Sequence, residues 1–167
     1  MSFSNLLNFE QRLRGRRVLV TGHTGFTGSW LTTWLNELGA LVSGFALPPA
    51  TSPNLYEALS LAENVTTVVG DINIYADVAS AIDRLAPEIV FHLAAQPLVS
   101  VGYDEPLNTF GTNIMGTLHV LEAARNCPQT RAVVCITTDK VYLNRETHEG
   151  YREGDRLGGK DPYSASK

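Results

Sequence analysis

Short apolar runs and amphipathic stretches alternate along the chain. The runs with the length of strands cover residues 18–21, 40–46, 65–69, 88–93 and 131–136. Between them, apolar residues recur at the three- and four-residue spacing of a helix face. The pattern predicts an α/β fold, a doubly wound parallel sheet of the Rossmann type with strand order 3-2-1-4-5. Ligands would gather at the carboxyl ends of the strands.

Apolar stripes predict the helices between these strands. The first stripe consists of Trp30, Leu31, Trp34, Leu35 and Leu38. The second consists of Ile74, Val78, Ile82 and Leu85, and the third of Phe110, Ile114, Leu118 and Leu121. The third helix should have Asp104 as its N-cap and Pro106 in its first turn, and should run to about residue 126. Shorter helices are predicted at residues 55–61 and at the start of the chain, around Leu6, Leu7, Phe9 and Leu13.

A glycine-rich turn connects the first strand to the first helix. Gly22, Gly25 and Gly28 are spaced G-x-x-G-x-x-G. A pyrophosphate can approach a backbone closely only where side chains are absent, and the first amides of a helix provide donors there. The turn therefore predicts a dinucleotide site, although such turns also occur between strands and helices for structural reasons alone.

Composition narrows the classes of function. The 167 residues carry a net charge of −4 with no basic run, which argues against a nucleic-acid partner. No apolar run is long enough to cross a membrane, and residues 1–14 lack the apolar core of a secretory signal. Cys127 and Cys135 show no pairing pattern, so we expect a cytoplasmic location, with Cys135 buried in the fifth strand. The histidines show no metal-ligand spacing with either cysteine.

Tyr163 and Lys167 are four residues apart in a helix that Asp161 and Pro162 should open. One helical turn separates such residues, so the ammonium would lie near the phenol. A nearby ammonium lowers the pKa of a tyrosine, which otherwise titrates near pH ~10. The pair could remove a proton from a sugar hydroxyl while a hydride passes to a nicotinamide.

Four motifs together resemble the extended short-chain dehydrogenase/reductases, and they extend over nearly all of the chain. They are Thr21-Gly22-x-x-Gly25-Phe26-x-Gly28, Gly70-Asp71, His92-Leu93-Ala94-Ala95-Gln96 and Tyr163-x-x-x-Lys167. Further motifs are most similar to the CDP-glucose 4,6-dehydratases, which are NAD-dependent. These are His23-Thr24-Gly25-Phe26, Gly28-Ser29-Trp30-Leu31, Gln96-Pro97-Leu98-Val99 and Thr138-Asp139-Lys140.

The resemblance implies an NAD site. The pyrophosphate would be lined by Gly22, Gly25, Phe26 and Gly28, and the adenine would be met by Asp71 and Ile72. Leu93, Ala94 and Ala95 would pass under the cofactor. Further cofactor contacts would come from His23, Thr24, Thr112, Thr137, Tyr163 and Lys167.

The resemblance also implies catalytic roles. Tyr163 would be the base for oxidation at C4 of the sugar, with Lys167 as its helper and Thr138 bonded near C4. Asp139 and Lys140 would then remove the C5 proton and protonate the departing C6 hydroxyl, in an order that stays open. We expect these adjacent opposite charges to keep each other ionised. The implied reaction converts CDP-glucose to CDP-4-keto-6-deoxyglucose and regenerates NAD.

Two features depart from the family pattern. Residues 46–50, after the second strand, contain neither an acid for a ribose diol nor an arginine for a 2′-phosphate. The residues therefore do not choose NAD over NADP; only the resemblance does. The sequence also stops at Lys167, whereas the family continues for about as many residues again. Residues 1–167 are thus expected to be the NAD-binding domain, without the sixth strand and the substrate domain, and to be inactive alone.

Other functions stay open at this point. A UDP-N-acetylglucosamine inverting dehydratase also has an Asp-Lys pair but tends to lack the tyrosine. A sugar epimerase or reductase would share the fold, and so would a non-catalytic dinucleotide-binding module. The resemblance also implies a homodimer or homotetramer, with the helix that carries Phe110 and Ile114 at the interface.

Overall fold

Strands and helices alternate in the computed structural model, which describes residues 10–167. The strands are β1 (Arg17–Thr21), β2 (Leu41–Ala46), β3 (Thr66–Val69), β4 (Ile89–His92) and β5 (Ala132–Cys135). The helices are α1 (Phe26–Glu37), α2 (Leu55–Ala58), α3 (Leu61–Asn64), α4 (Tyr75–Leu85), α5 (Val99–Asp104), α6 (Pro106–Phe110), α7 (Thr117–Asn126) and α8 (Pro162–Ser166). A π-helix (Gly111–Gly116) joins α6 to α7, and a 3-10 helix (Asp139–Val141) follows β5.

The five strands form one parallel sheet in the order β3-β2-β1-β4-β5, which confirms the predicted doubly wound topology. In this register, Thr21 at the end of β1 lies between Phe45 of β2 and His92 of β4. His92 in turn pairs with Cys135 at the end of β5. The segments that follow β1, β4 and β5 therefore leave the sheet at one edge.

Apolar residues cover both faces of the sheet. Val18 and Val20 of β1 point to one face, where they pack with Leu35 of α1, and Leu19 points to the other. The second face packs against Val78 and Ile82 of α4 and Val120 of α7. All of these side chains are buried. Burial on both faces is what the continuous apolar runs of the strands predicted.

Helix α1 is where predicted, but only part of its apolar stripe faces the core: Leu35 is buried, and Leu31 and Leu38 are partly buried against the same cluster. The buried residues are Gly28, Ser29, Thr32 and Leu35. Trp30 and Trp34 are 55% and 47% exposed. A Cβ on Gly28 would lie 2.0 Å from the Gly22 carbonyl oxygen, so the first turn of this helix lies too close to the glycine turn for any side chain at that position.

The predicted third helix is interrupted. Asp104 is the last residue of α5, and Glu105 is the N-cap before Pro106, so the predicted N-cap at Asp104 is wrong. The predicted stripe faces outward, with exposed fractions of 38% to 51% for Phe110, Ile114, Leu118 and Leu121. The buried face consists mainly of small or polar residues: Thr109, Asn113, Gly116, Val120, Ala123 and Ala124.

Several smaller expectations are also resolved. The predicted helix at 55–61 is divided in two at Ser60, which has φ +49°. The prediction that Cys135 is buried is wrong for the described residues, where this side chain is only partly buried, whereas Cys127 is buried. Leu13 is buried, but the rest of the predicted leading helix, at Leu6, Leu7 and Phe9, lies outside the described residues. Every helix within residues 10–167 is too short or too polar to span a membrane.

Candidate active site

The three glycines of the turn have different surroundings. Gly22 has φ +74°, and a Cβ there would lie 2.8 Å from the Ala94 nitrogen. Gly28 is closed off by the Gly22 carbonyl, as described above. At Gly25 the nearest atom to an added Cβ is the Gly22 oxygen, at 3.4 Å, and the residue is exposed. Gly22 and Gly28 therefore allow the turn to fold, while Gly25 leaves open space in front of it.

Helix α1 begins at the edge of this space. Gly25 is its N-cap, no side chain caps the helix, and the first turn contains no acidic residue. The first amides of a helix have no partner within the helix, and they favour an anion nearby. Phe26, the first helical residue, is 73% exposed beside them. The turn thus has the open space and the amide donors that a diphosphate requires.

The His23 side chain points away from this space into the interior. Its ring occupies the volume that Gly44 leaves free, lies edge-on to Tyr56, and places Nε2 3.1 Å from the Thr67 hydroxyl. Burial lowers the pKa of His23 to about 4. The predicted cofactor contact at His23 is therefore possible only through its backbone. The neighbouring Thr24 hydroxyl donates to the Leu47 carbonyl at 2.9 Å, which ties the turn to the segment after β2.

The predicted adenine residues follow β3. One Asp71 carboxylate oxygen accepts from the Asn73 backbone and side-chain nitrogens, at 2.9 and 3.0 Å. The Asn73 amide also donates to Thr112 at 3.1 Å, so Asn73, which sequence reasoning missed, connects two predicted cofactor residues. The Ile72 side chain is buried in the space left by Gly116, which leaves its backbone as the group that can face a ligand.

The segment after β5 carries the predicted elimination pair. The Thr138 hydroxyl accepts from the Lys140 amide at 3.3 Å and donates to the Asp139 carboxylate at 3.2 Å. Asp139 and Lys140 line a cavity of about 380 Å³, and Thr137, just before them, is exposed. The other lining residues are Tyr142, Asn144, Tyr151, Gly158, Lys160, Asp161 and Ser164.

The expected charge pairing between Asp139 and Lys140 is absent. No ion pair joins them among the described residues, although they are adjacent. The Lys140 charge instead contributes to lowering the pKa of Asp161, an effect that is due mainly to hydrogen bonds from Ser164. Asp139 and Lys140 are therefore separate groups at the cavity wall.

Helix α8 forms the other side of this cavity. Asp161 caps it as predicted, with a 2.9 Å bond from the Ser164 amide to the Asp161 carboxylate. Tyr163, in the first turn, is partly buried, and a Cβ on Gly102 would lie 3.3 Å from its backbone nitrogen. The Lys167 ammonium donates to the Ile136 carbonyl at 2.7 Å, and burial lowers the pKa of Lys167. Lys167 thus lies beside the end of β5, and Tyr163 lies beside Gly102 of α5.

Asn113, in the π-helix, is a residue that sequence reasoning did not single out. It is 4% exposed, and its amide donates to the Ser166 hydroxyl at 2.8 Å and to the Gln96 carbonyl at 3.2 Å. Its side-chain oxygen, Oδ1, accepts from the backbone amide of Gln96 at 2.8 Å. Asn113 therefore joins α8 to the segment after β4.

The chain is similar to known enzymes of nucleotide sugars. A family model described as GDP-mannose 4,6 dehydratase matches residues 19–167. A CDP-glucose 4,6-dehydratase of Salmonella typhimurium is 51% identical over 92% of this chain and 43% of its own length. A CDP-paratose 2-epimerase of Salmonella typhi is 31% identical over 90% of this chain and 49% of its own length. The chain thus spans about half the length of these relatives.

Solved structures agree with the fold. The UDP-glucose 4-epimerase of Thermus thermophilus, in complex with NAD, matches with a TM-score of 0.78 and 30% identity over 90% of this chain and 47% of its own. The corresponding enzyme of Stenotrophomonas maltophila, with bound NAD, has a TM-score of 0.80 and 25% identity over 91% of this chain and 45% of its own. The chain belongs to the GDP-mannose 4,6-dehydratase family of the extended short-chain dehydrogenase/reductases.

Proposed function

We propose that this chain is the dinucleotide-binding part of an NAD-dependent CDP-glucose 4,6-dehydratase. The observation that carries the proposal is the cavity wall after β5. There Asp139 and Lys140 lie beside the helix that holds Tyr163, at the same sheet edge as the glycine turn. The 51% identity to a CDP-glucose 4,6-dehydratase supports this choice of substrate. Residues 1–167 would then form one NAD-binding domain, with the substrate domain supplied by further chain.

The glycine turn fits a dinucleotide. Gly25 leaves the space that a diphosphate would occupy, and the first amides of α1 border that space. Asp71, the Ile72 backbone and Thr112 would meet the adenosine end, and Leu93 to Ala95 would pass beneath it. NAD rather than NADP is proposed because structures of two related epimerases contain NAD. Titrating the full-length protein with both cofactors tests this choice, and a preference for NADP would contradict it.

Oxidation at C4 of the sugar would depend on α8. NAD, when bound, would supply the hydride acceptor for this oxidation and the hydride donor for the final reduction. The Tyr163 hydroxyl has no hydrogen-bond partner among the described residues, so it is free to bond to the C4 hydroxyl and take its proton. Lys167, one helical turn further along, would be the helper of Tyr163. Thr138 would hold the C4 oxygen.

Elimination would depend on Asp139 and Lys140. A ketone at C4 acidifies the hydrogen at C5, so removal of that proton and protonation of the C6 hydroxyl release one water. The two groups are not paired with each other, which leaves one of them free to act as base and the other as acid. The group that removed the C5 proton would return it to C5 when the C6 position is reduced, so the net reaction would be loss of water without net change in NAD.

The test uses the full-length protein with CDP-glucose and NAD. A 4-keto-6-deoxy product that absorbs in alkali, without net formation of NADH, is expected. An isomeric sugar nucleotide that keeps its C6 hydroxyl, again without net NADH, would instead favour an epimerase, for which the 31% identity to a CDP-paratose 2-epimerase is the supporting observation. A net change in NADH would favour a reductase or another enzyme with net redox chemistry. A Tyr163→Phe protein with unchanged activity would contradict every catalytic assignment and favour a non-catalytic dinucleotide-binding module.

We further propose a homodimer or homotetramer and a cytoplasmic location. The outward apolar face of the π-helix and α7, with Ile114, Leu118 and Leu121 between 41% and 51% exposed, supports self-association. The free cysteines Cys127 and Cys135 are consistent with a reducing compartment. Light scattering on the full-length protein and on its Leu118→Asp variant tests the interface, and an unchanged mass would contradict it.

A further inference from the structure

A chain of hydrogen bonds lies beneath the glycine turn and is not explained by the proposed reaction. It begins at the Thr21 hydroxyl, which accepts from the Leu93 and Ala94 amides, each at 3.2 Å. The same oxygen lies 2.7 Å from Nδ1 of His92. His92 and Thr21 are only 3% and 1% exposed, so a ligand in the turn cannot reach either side chain.

The number of available protons fixes the direction of each bond. A threonine hydroxyl has one hydrogen, and Thr21 already receives two amide hydrogens, so it donates its own to Nδ1 of His92. Nδ1 is then the acceptor, and the proton of the neutral ring is on Nε2. That atom lies 3.0 Å from the Thr117 hydroxyl and donates to it. The Thr117 hydroxyl in turn donates to the backbone carbonyl of Asn113 at 2.6 Å.

The backbone amide of Ala94 depends on the Thr21 hydroxyl more than the backbone amide of Leu93 does. Strand β4 ends at His92, so Ala94 lies beyond the sheet ladder. The Leu93 amide has a second acceptor in the Thr21 carbonyl, at 3.2 Å, whereas the Ala94 amide has the Thr21 hydroxyl as its acceptor among the described residues. The Ala94 nitrogen is in turn the closest atom, at 2.8 Å, to the space where Gly22 lacks a Cβ. A shift of Ala94 would therefore move the Gly22 backbone.

We propose that His92 is a positioning residue that holds Ala94 beneath the glycine turn and thereby sets the affinity for the dinucleotide. By accepting from Thr21, the ring orients the hydroxyl so that its lone pairs face the two amides. By donating to Thr117, the ring is itself fixed to α7. The inference rests on the proposed NAD site, but His92 touches neither the cofactor nor the substrate.

The experiment compares His92→Phe with His92→Asn in the full-length protein freed of nucleotide. Phenylalanine keeps the ring shape and removes both bonds, whereas the asparagine oxygen can still accept from Thr21. We expect the NAD Kd, measured by calorimetry, to rise about tenfold or more in His92→Phe, as loss of a buried bond implies. In His92→Asn the Kd should return to within about threefold of the wild type.

The matched control is Thr130→Val. The Thr130 hydroxyl donates to the Pro87 carbonyl at 2.9 Å, near the amino ends of β4 and β5. Its loss should lower the unfolding midpoint while the NAD Kd stays unchanged. If His92→Phe does not fold, Thr21→Val and Thr21→Ser replace it, because only serine keeps the hydroxyl. Equal affinity in those two variants would overturn the inference.

Two readouts do not require NAD. Nitrogen NMR should show the proton of the His92 ring on Nε2, and amide hydrogen exchange at Ala94 should become faster in His92→Phe and recover in His92→Asn. A proton on Nδ1, or unchanged Ala94 exchange and NAD affinity in folded His92→Phe, would overturn the role of His92. A wild-type protein that fails to bind NAD would overturn the proposed function, while Ala94 exchange would still decide the role of His92.

Discussion

The two halves of the candidate active site are built differently. Around the glycine turn, Thr21, His23, Ser29 and Thr32 are at most 1% exposed, and the backbone segments touch each other directly. The segment at 138–160 after β5 is mostly exposed and has little regular structure apart from one short 3-10 helix. The first region fixes a ligand by the position of its backbone, and the second acts through side chains at a cavity wall.

Because of this difference, substitutions in the two regions should change different quantities: the free energy of unfolding in the first and the reaction rate in the second. Changes at the glycine turn disturb close packing, so they should lower the free energy of unfolding together with cofactor affinity. Changes after β5 remove exposed side chains, so they should lower the rate of the reaction and leave folding unaffected. The predictions below test that separation, from the largest expected effect to the smallest.

Asp139→Asn and Lys140→Met should each lower kcat of the full-length protein by about 10²- to 10⁴-fold, the usual contribution of a general acid or base. Oxidation at C4 would continue, so NADH should accumulate on the enzyme and be visible by absorbance. The control is Lys160→Met, which removes another ammonium from the same cavity wall. An equal loss in the control would show that charge in the cavity, rather than proton transfer, is what matters.

Gly28→Ala should destabilise the fold by about 3 kcal/mol or more, because the new Cβ would lie 2.0 Å from the Gly22 oxygen and that atom is backbone. Urea unfolding measures the effect. An alanine at position 28 that leaves the unfolding free energy unchanged would show that the turn can adjust, and the distinction between the two halves would then be lost.

The two buried histidines should make the fold sensitive to acid. Burial lowers the pKa of both His23 and His92 to about 4, with the Lys167 charge as a further cause at His92. The unfolded chain takes up these protons near pH ~6.5, so stability is complete above that pH and falls as the pH drops toward about 4. Each histidine should contribute roughly 2–3 kcal/mol to this fall.

Urea unfolding at several pH values measures how steeply the unfolding free energy falls with decreasing pH. His92→Asn should remove the part of this slope that is due to His92. The comparison variant is His148→Gln, in the exposed segment after β5. It should leave the pH dependence as it is. A slope that persists unchanged in His92→Asn would contradict the assignment to that ring.

Gly25→Ala should have the smallest effect and the most selective one. The nearest atom to its Cβ would be 3.4 Å away, which is an ordinary contact, so the unfolding free energy should change by less than about 1 kcal/mol. The methyl group would intrude into the space left for the diphosphate, so the NAD Kd should rise about tenfold or more. Unchanged affinity would place the diphosphate elsewhere.

The fold could be predicted from the sequence where one local rule decided the outcome. Buried parallel strands appear as continuous apolar runs, and alternation with helices then leaves few topologies, which is why the order 3-2-1-4-5 is confirmed. The cap at Asp161 is also confirmed, because Asp before Pro is a strong local signal. Gly22 and Gly28 could also be recognised from the sequence, because a tight turn between a strand and a helix leaves no room for a Cβ at these positions.

Prediction failed where close packing required small residues. A stripe of large apolar side chains indicates a core face by periodicity, but apart from Leu35 and Val120 the buried residues of α1 and α7 are glycine, serine, threonine and alanine. The large residues, such as Trp30 and Leu118, are left outside. The buried contacts of His23 and Asn113 were missed for a related reason: their partners, Thr67 and Ser166, are 44 and 53 residues away in the sequence.

The wall of the cavity after β5 also contains two tyrosines in parallel contact. The Tyr142 and Tyr151 rings have centroids 4.9 Å apart and planes 11° from parallel. Stacked phenols couple their electronic transitions, so this pair should give the protein a near-ultraviolet circular dichroism band. Trp30 and Trp34 lie more than 100 residues earlier in the sequence, on α1. The segment around the elimination pair therefore has an intrinsic optical reporter, through which a sugar entering the cavity could be followed without any label.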